Sequence, residues 1–334
     1  MNVHDLSLVQ LRDLADQAVL IAAASEAGIF RALADGPSTP SELAARLEYD
    51  ERAVRITLQA LAEAGLLRAS GDGRFAPTDR CAAELCDPDS PDYAGGGLPL
   101  WLRSIRAWTR LSEVLRRGGP LEPRPKERSP EDVARFMAGM AAAPRARVEK
   151  IVELCLARHP EARSVLDVGG GPGHMARTFV EKGLEATLFD TRDILAYVAD
   201  AYGLHDVAGL TLVAGDFRED PLPPGPFDIV LISNVMHIYS AEENRALVRH
   251  AAEVLAPGGV LAIAEFVRGR SGKAARFGVQ MLLRSEGGDA YSGAEFAEWI
   301  QAAGLGDMDV EDVDPDRQLI TARKVRPQRR PTAE

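Results

Sequence analysis

The stretch SVLDVGGGPGHMARTFVEKG, Ser164 to Gly183, reads as three pieces in a row. A short apolar strand runs through Asp167 and Val168, a glycine-rich turn follows, and a helix begins near His174. Glycines after a first strand let the backbone turn tightly and come close to a ligand, while the helix start offers free N–H groups. Outward from this turn the pattern repeats. EATLFD ends in Asp190, LTLVAGDF ends at Asp216-Phe217, and FDIVLISNVMH and GGVLAIAEF follow. Helical stretches such as TRDILAYVADAYG and AEENRALVRHAAEVL separate them. Such alternation implies an α/β fold, a Rossmann-like doubly wound sheet with helices on both faces. Near the end, MDVEDVDPDRQLITARK predicts a hairpin around Asp314-Pro315-Asp316, hence one antiparallel strand on a mostly parallel sheet. The RPQRRPTAE tail, 326–334, reads as disordered.

The first ninety or so residues are helical in period. ADQAVLIAAASEAGIFRAL, Ala15 to Leu33, buries an Ala, Ile and Leu face. Thr39 or Ser41 caps a helix with Pro40 in its first turn, and Asp50 caps the next, which packs through Val54, Ile56, Leu58, Leu61, Leu66 and Leu67. LLRASGDGRFAPT predicts a hairpin around Gly71-Asp72-Gly73, completing a winged helix-turn-helix. As a DNA reader its second helix should present basic residues to a groove. Arg52, Arg55, Arg68 and Arg74 are nearly balanced by Glu51, Glu63 and Asp72, which favours an interaction module instead. LPLWLRSIRAWTRLSEVLRRGG then predicts an amphipathic helix bearing Trp101 and Trp108. Ser129-Pro130-Glu131-Asp132 opens another, carrying Phe136, Met137 and Met140 and kinked or divided at Pro144. The expected division is a winged-helix domain over 1–95, a helical linker and pocket region over 96–150, and a cofactor-binding domain over 151–325.

A chain of 334 residues suits about two domains at roughly 150 residues each. Apolar residues at 46% and charged residues at 27% exclude wholesale disorder. With 39 basic against 50 acidic residues the net charge is −11, a poor balance for general binding to nucleic acid or an anionic membrane. No apolar run approaches the eighteen or so residues of a membrane helix, and MNVHDLSLVQLRDLADQ lacks a basic-then-apolar signal pattern. A cytoplasmic location is expected. The three cysteines, Cys81, Cys86 and Cys155, make no paired framework, and no cluster has metal-ligand spacing, so no metal is expected.

The glycine turn and a second-strand acid also occur in nicotinamide-binding proteins. Two details point elsewhere: the glycines follow G-x-G-x-G rather than G-x-G-x-x-G, and Gly215-Asp216-Phe217 offers an acceptor and an aromatic face where an adenine would lie. Together DVGGGPG, Asp190, GDF, SNVMHIYSAEEN and LAPGGVLAIAEF resemble a class I S-adenosylmethionine-dependent O-methyltransferase with an N-terminal winged-helix dimerisation domain. This family includes plant caffeate-type enzymes and bacterial small-molecule O-methyltransferases, and the resemblance spans Leu14 to Lys324. It implies S-adenosyl-L-methionine as cofactor, held by Asp167, Gly169 and Gly171 of the turn, by Asp190 at the ribose, by Asp216 and Phe217 at the adenine, and by Ser233 and Asn234. It also implies a homodimer through the N-terminal domain.

Methyl transfer to a hydroxyl is an in-line displacement needing alignment, exclusion of water and removal of a proton. His237, at the ligand side of the fourth strand, matches the family's general base. Glu265 matches the carboxylate that braces it, fixing the tautomer. A second bracing acid does not carry over. In SEGGDAYS, Ala290 stands where relatives have glutamate, leaving Asp289 or Glu286 as substitutes. Trp108, Phe136, Met137, Met140, Met236, Phe277 and Met281 are the candidate walls for an aromatic or polycyclic small-molecule acceptor. Alternatives are C- or N-methylation or a hydroxylation on the same fold, and a ligand-responsive winged-helix transcription factor.

Overall fold

The computed structural model describes residues 5–88, 90, 92–121 and 129–325. The tail expected to be disordered, 326–334, lies outside these residues. The chain forms two compact units, one ending at Thr109 and the other beginning at Arg110.

The first unit opens with α1 (Leu8–Glu26) and α2 (Ile29–Ala34). The apolar period from Ala15 to Leu33 is therefore not one helix: Gly28 sits between them at φ +77°, a left-handed conformation that turns the chain. Next come α3 (Pro40–Leu47) and α4 (Glu51–Glu63). Thr39 caps α3 with Glu42 closing the capping box, and Asp50 caps α4 by accepting the Ala53 N–H. Strands β1 (Leu67–Ala69) and β2 (Phe75–Pro77) pair antiparallel as the wing. One-turn α5 (Asp79–Cys81) and α6 (Leu98–Trp108) complete the unit. Phe30, Leu33, Leu43, Leu58 and Leu61 fill its core at 0–1% exposure.

The second unit begins with α7 (Leu111–Arg117), so the single amphipathic helix expected from Leu98 onward is broken. The Thr109 hydroxyl donates back to the Arg106 carbonyl, a local bond that competes with helix propagation. Ser129 caps α8 (Pro130–Ala141), and Pro144 divides it from α9 (Arg145–Arg158). From here strands and helices alternate: β3 (Ser164–Val168), α10 (His174–Glu181), β4 (Glu185–Asp190), α11 (Arg192–Ala201), β5 (Leu210–Ala214) and β6 (Phe227–Ser233). Then follow α12 (Ala241–Val254), β7 (Leu255–Glu265), α13 (Gly272–Leu282), α14 (Gly293–Ala302), β8 (Leu305–Asp312) and β9 (Gln318–Lys324).

The strands form one seven-stranded sheet in the order β5-β4-β3-β6-β7-β9-β8. Pairings among β3 to β7 are parallel, and β9 runs antiparallel to both its neighbours. Apolar layers cover both faces, Ile151, Phe179 and Leu188 on one and Leu247, Phe296 and Trp299 on the other. Each such side chain contributes about 1.5–3 kcal/mol on burial. The chain builds outward from β3 through β4 to β5, then returns to add β6 on β3's other side. Connections therefore leave β3 and β6 in opposite directions, opening a crevice at their carboxyl ends where ligands of such sheets bind.

Candidate active site

That crevice is lined by Asp167, Gly169, Gly171, Asp190, Asp216, Phe217, Ser233 and Asn234, all eight residues named from the sequence for cofactor binding. The turn after β3 carries Gly169, Gly171 and Gly173 at φ +70°, +50° and +78°. A side chain at Gly169 would also place its Cβ 2.5 Å from Val235 Cγ2, so glycine is required there twice over. The turn is tied to the next strand: Gly169 N–H donates to the Phe189 carbonyl (2.7 Å), and Gly171 N–H to Asp190 Oδ2 (2.9 Å). Asp190 Oδ1 takes the Thr191 N–H at 2.7 Å, which orients the carboxylate at the strand end.

Asp167 lies beneath this turn at 1% exposure, and neither carboxyl oxygen has a hydrogen-bond partner. Burial pushes its carboxyl up to about 7 and the charge of Asp190 adds to the rise, while the nearby Ala176 amide offsets part of it. Farther along the crevice Asp216 is held below the usual carboxylate range by Arg218, whose Nε donates to Oδ1 at 3.0 Å. The Arg218 guanidinium also lies 5.5 Å from the centre of the Tyr239 ring, and Tyr239 meets Phe217 edge-on at 4.8 Å. This aromatic corner was missed in the sequence because Arg218 and Tyr239 belong to different loops.

His237 follows β6 in a tight turn. Its Nδ1 lies 2.9 and 3.0 Å from the two oxygens of Glu265, at the end of neighbouring β7. The side chains are 12% and 2% exposed. A carboxylate against Nδ1 puts the ring proton there and leaves Nε2 with a free lone pair. Asn244 on α12, which the sequence did not single out, donates to the carbonyls of Met236 (2.8 Å) and Tyr239 (3.2 Å) and so fixes the turn. The question of a second bracing acid is answered by the 285–290 loop. Asp289 turns to Arg268 at 2.9 Å and Glu286 is exposed, and among the described residues the acid hydrogen-bonded to the His237 ring is Glu265. What meets His237 is backbone: a Cβ on Gly288 would lie 2.3 Å from the His237 carbonyl oxygen.

The expected acceptor walls separate. Phe136, Met137 and Met140 line the crevice beside the glycine turn, as does His174, whose buried Nε2 lacks a hydrogen-bond partner. Phe277 packs edge-on against the His237 ring at 4.8 Å. Met236 is not a wall: it is 0% exposed, packed in the core, and neither it, His237 nor Phe277 is among the residues lining the crevice. Met281 is buried at 7%, and Trp108 ends α6 in the first unit and is not among the residues lining the crevice. Among the described residues no group of three or more His, Cys, Asp or Glu could hold a metal ion, and no helix is long and apolar enough to cross a membrane.

Residues 124–306 match the family described as O-methyltransferase domain, and residues 25–68 match the helix-turn-helix domain. The chain is 30% identical over 307 residues to the 3-hydroxy-5-methyl-1-naphthoate 3-O-methyltransferase of Streptomyces sahachiroi, with 86% of each chain covered. It is 26% identical over 319 residues to the tetracenomycin polyketide synthesis 8-O-methyl transferase of Streptomyces glaucescens, covering 91% of this chain and 92% of the relative. An O-methyltransferase family protein from Burkholderia thailandensis superposes with a TM-score of 0.82 at 24% identity, over 98% of this chain and 99% of that one.

Proposed function

The chain belongs to the O-methyltransferase family, and from that premise we propose that it methylates a hydroxyl of an aromatic or polycyclic small molecule with His237 as general base. The observation that carries this reading is the His237–Glu265 pair at the carboxyl ends of β6 and β7, one and two strands from the glycine turn after β3.

Enzymes of this family use S-adenosylmethionine, which supplies an electrophilic methyl group on a sulfonium. The crevice fits such a group. Gly169, which has no room for a side chain against Val235, and Gly171, at φ +50°, bring bare backbone to the crevice, and Asp167 keeps two unpartnered oxygens under the turn. Asp190 stands at the strand end to accept ribose hydroxyls, Asp216 and Phe217 to bracket the adenine, and Ser233 and Asn234 to line the side of β6. His237 Nε2 takes the proton of the acceptor hydroxyl, and Glu265 stabilises the imidazolium so formed while holding the ring in place. Phe277 and the methionine-rich side of α8 help keep water out.

The named relatives act on a hydroxynaphthoate and in tetracenomycin polyketide synthesis, which supports an aromatic acceptor here. For the first unit, a homodimer-forming role is supported by Leu8, Val9 and Leu14 on α1, exposed at 85%, 58% and 41%. A DNA-reading role is disfavoured because the wing's cations are spent internally: Arg74 pairs with Glu42 at 2.8 Å and Arg68 with Asp79 at 3.2 Å. A cytoplasmic location agrees with the acidic composition.

The test pairs calorimetry with turnover. Wild type should bind S-adenosylhomocysteine and transfer labelled methyl groups to members of a phenol and naphthol panel. His237→Ala should lose about 10²–10⁴-fold in kcat while keeping that affinity. Full turnover by His237→Ala would remove the base from the mechanism.

A further inference from the structure

Arg317 precedes β9, whose first residue Gln318 pairs with Glu265 of β7, so it lies on the same sheet edge as the His237–Glu265 pair. Its guanidinium carbon is 4.1 Å from the centre of the Phe266 ring, and its Nε donates to Asn234 Oδ1 at 3.2 Å. Phe266 packs on Phe277 at 4.2 Å, and Phe277 meets the His237 ring at 4.8 Å. A row thus runs from the imidazole through two phenyl rings to a cation.

Three carboxylates neighbour this cation, and each is taken by another base. Asp314 is held by Arg147 at 2.6 Å, Asp316 by Lys273 at 3.0 Å, and Glu265 by His237 at 2.9 Å. Among the described residues Arg317 has no ion pair of its own, and Nε–H is the one guanidinium donor in a hydrogen bond. Burial, with Arg147 nearby, already disfavours its charged form, so a bound anion would relieve a standing electrostatic cost. A guanidinium stacked on a ring keeps its outer N–H edge open for two parallel bonds to a carboxylate.

We propose that Arg317 is a specificity residue that binds a carboxylate on the acceptor, making aromatic hydroxy acids the preferred substrates. The inference rests on the aromatic-acceptor reading above. A merely structural Arg317 would instead serve to hold Asn234, whose φ of +56° is unusual for a residue with a side chain.

The experiment is calorimetry on the full chain saturated with S-adenosylhomocysteine, titrated with 3-hydroxy-2-naphthoate, its methyl ester and 2-naphthol. Wild type should bind the acid at least about tenfold tighter than the ester. Arg317→Gln should reduce the acid to the level of the ester while leaving ester and S-adenosylhomocysteine affinities within about twofold, and Arg317→Lys should keep part of the preference. Equal affinity for acid and ester in the wild type, which needs no variant, overturns the proposal. So does a preference that survives in Arg317→Gln, or a parallel loss for acid and ester. If the loaded wild type binds none of the three probes, the aromatic-acceptor reading falls and the inference with it.

Discussion

Glu265 and Asp167 are two buried carboxylates in one site, and their surroundings give them opposite work. Glu265 accepts hydrogen bonds from the His237 Nδ1–H and the Phe266 N–H (3.3 Å), so its oxygens are matched by donors. Replacing it by glutamine keeps the shape but removes the charge that stabilises a protonated ring. Glu265→Gln should therefore lower kcat by about 10²-fold or more with cofactor affinity nearly unchanged, as single-turnover rates and calorimetry can show. Asp167 has no hydrogen bond to either oxygen, and the nearby Ala176 amide offsets only part of the burial cost. Its carboxyl is raised from 3.8 to about 7, so between those values the folded chain holds a proton that the unfolded chain has released. Its contribution to stability therefore falls as pH rises from about 4 to about 7 and is level above that. Asp167→Asn removes this titration. Melting curves of the ligand-free proteins should show the variant gaining on wild type as pH climbs from 4.5 to 8. A melting difference that stays constant over that range would place the titration of Asp167 elsewhere.

The turn bearing His237 is held by several elements at once. Ser240 and Glu243 form the capping box that starts α12, Asn244 on that helix grips two carbonyls of the turn, and the Tyr291 hydroxyl donates to Tyr239 O at 2.5 Å. From the other side the glycine pair 287–288 approaches closely, with Ser240 Cβ 2.8 Å from where a Gly287 side chain would begin. These two glycines were visible in the sequence as neighbours of a missing acid, yet their use is steric. Gly288→Ala should push the loop and the His237 carbonyl apart. The expected result is a drop in kcat of about tenfold or more with little change in S-adenosylhomocysteine affinity, because the crevice around Gly169 is built by other elements. Equal losses in both measurements would mean that the loop supports the whole site rather than the base.

Across the whole molecule, the exposed leucines of α1 make oligomeric state the measurable quantity. Light scattering should give the mass of a dimer, and Leu8→Glu combined with Leu14→Glu should yield monomers at low micromolar concentration. Much of the architecture could be read without coordinates. Alternating strands and helices specify a parallel sheet, glycines after the first strand mark its ligand edge, and Thr39, Asp50 and Ser129 announce their helices, because these signals act within a few residues. The eight crevice residues were legible for the same reason: they sit on strand ends that recur at regular intervals in the chain. Breaks at Gly28 and Thr109 were hidden, since a smooth apolar period says nothing about where a helix stops. Whether Met236 faced the core or the pocket, what Asp289 paired with, and which cation near the site lacked an ion pair among the described residues depended on which side chains meet across distant segments. Arg317 and Asn234 are 83 residues apart. Their contact is created by the strand order that sets β9 beside β7, a long-range pairing that no local pattern encodes.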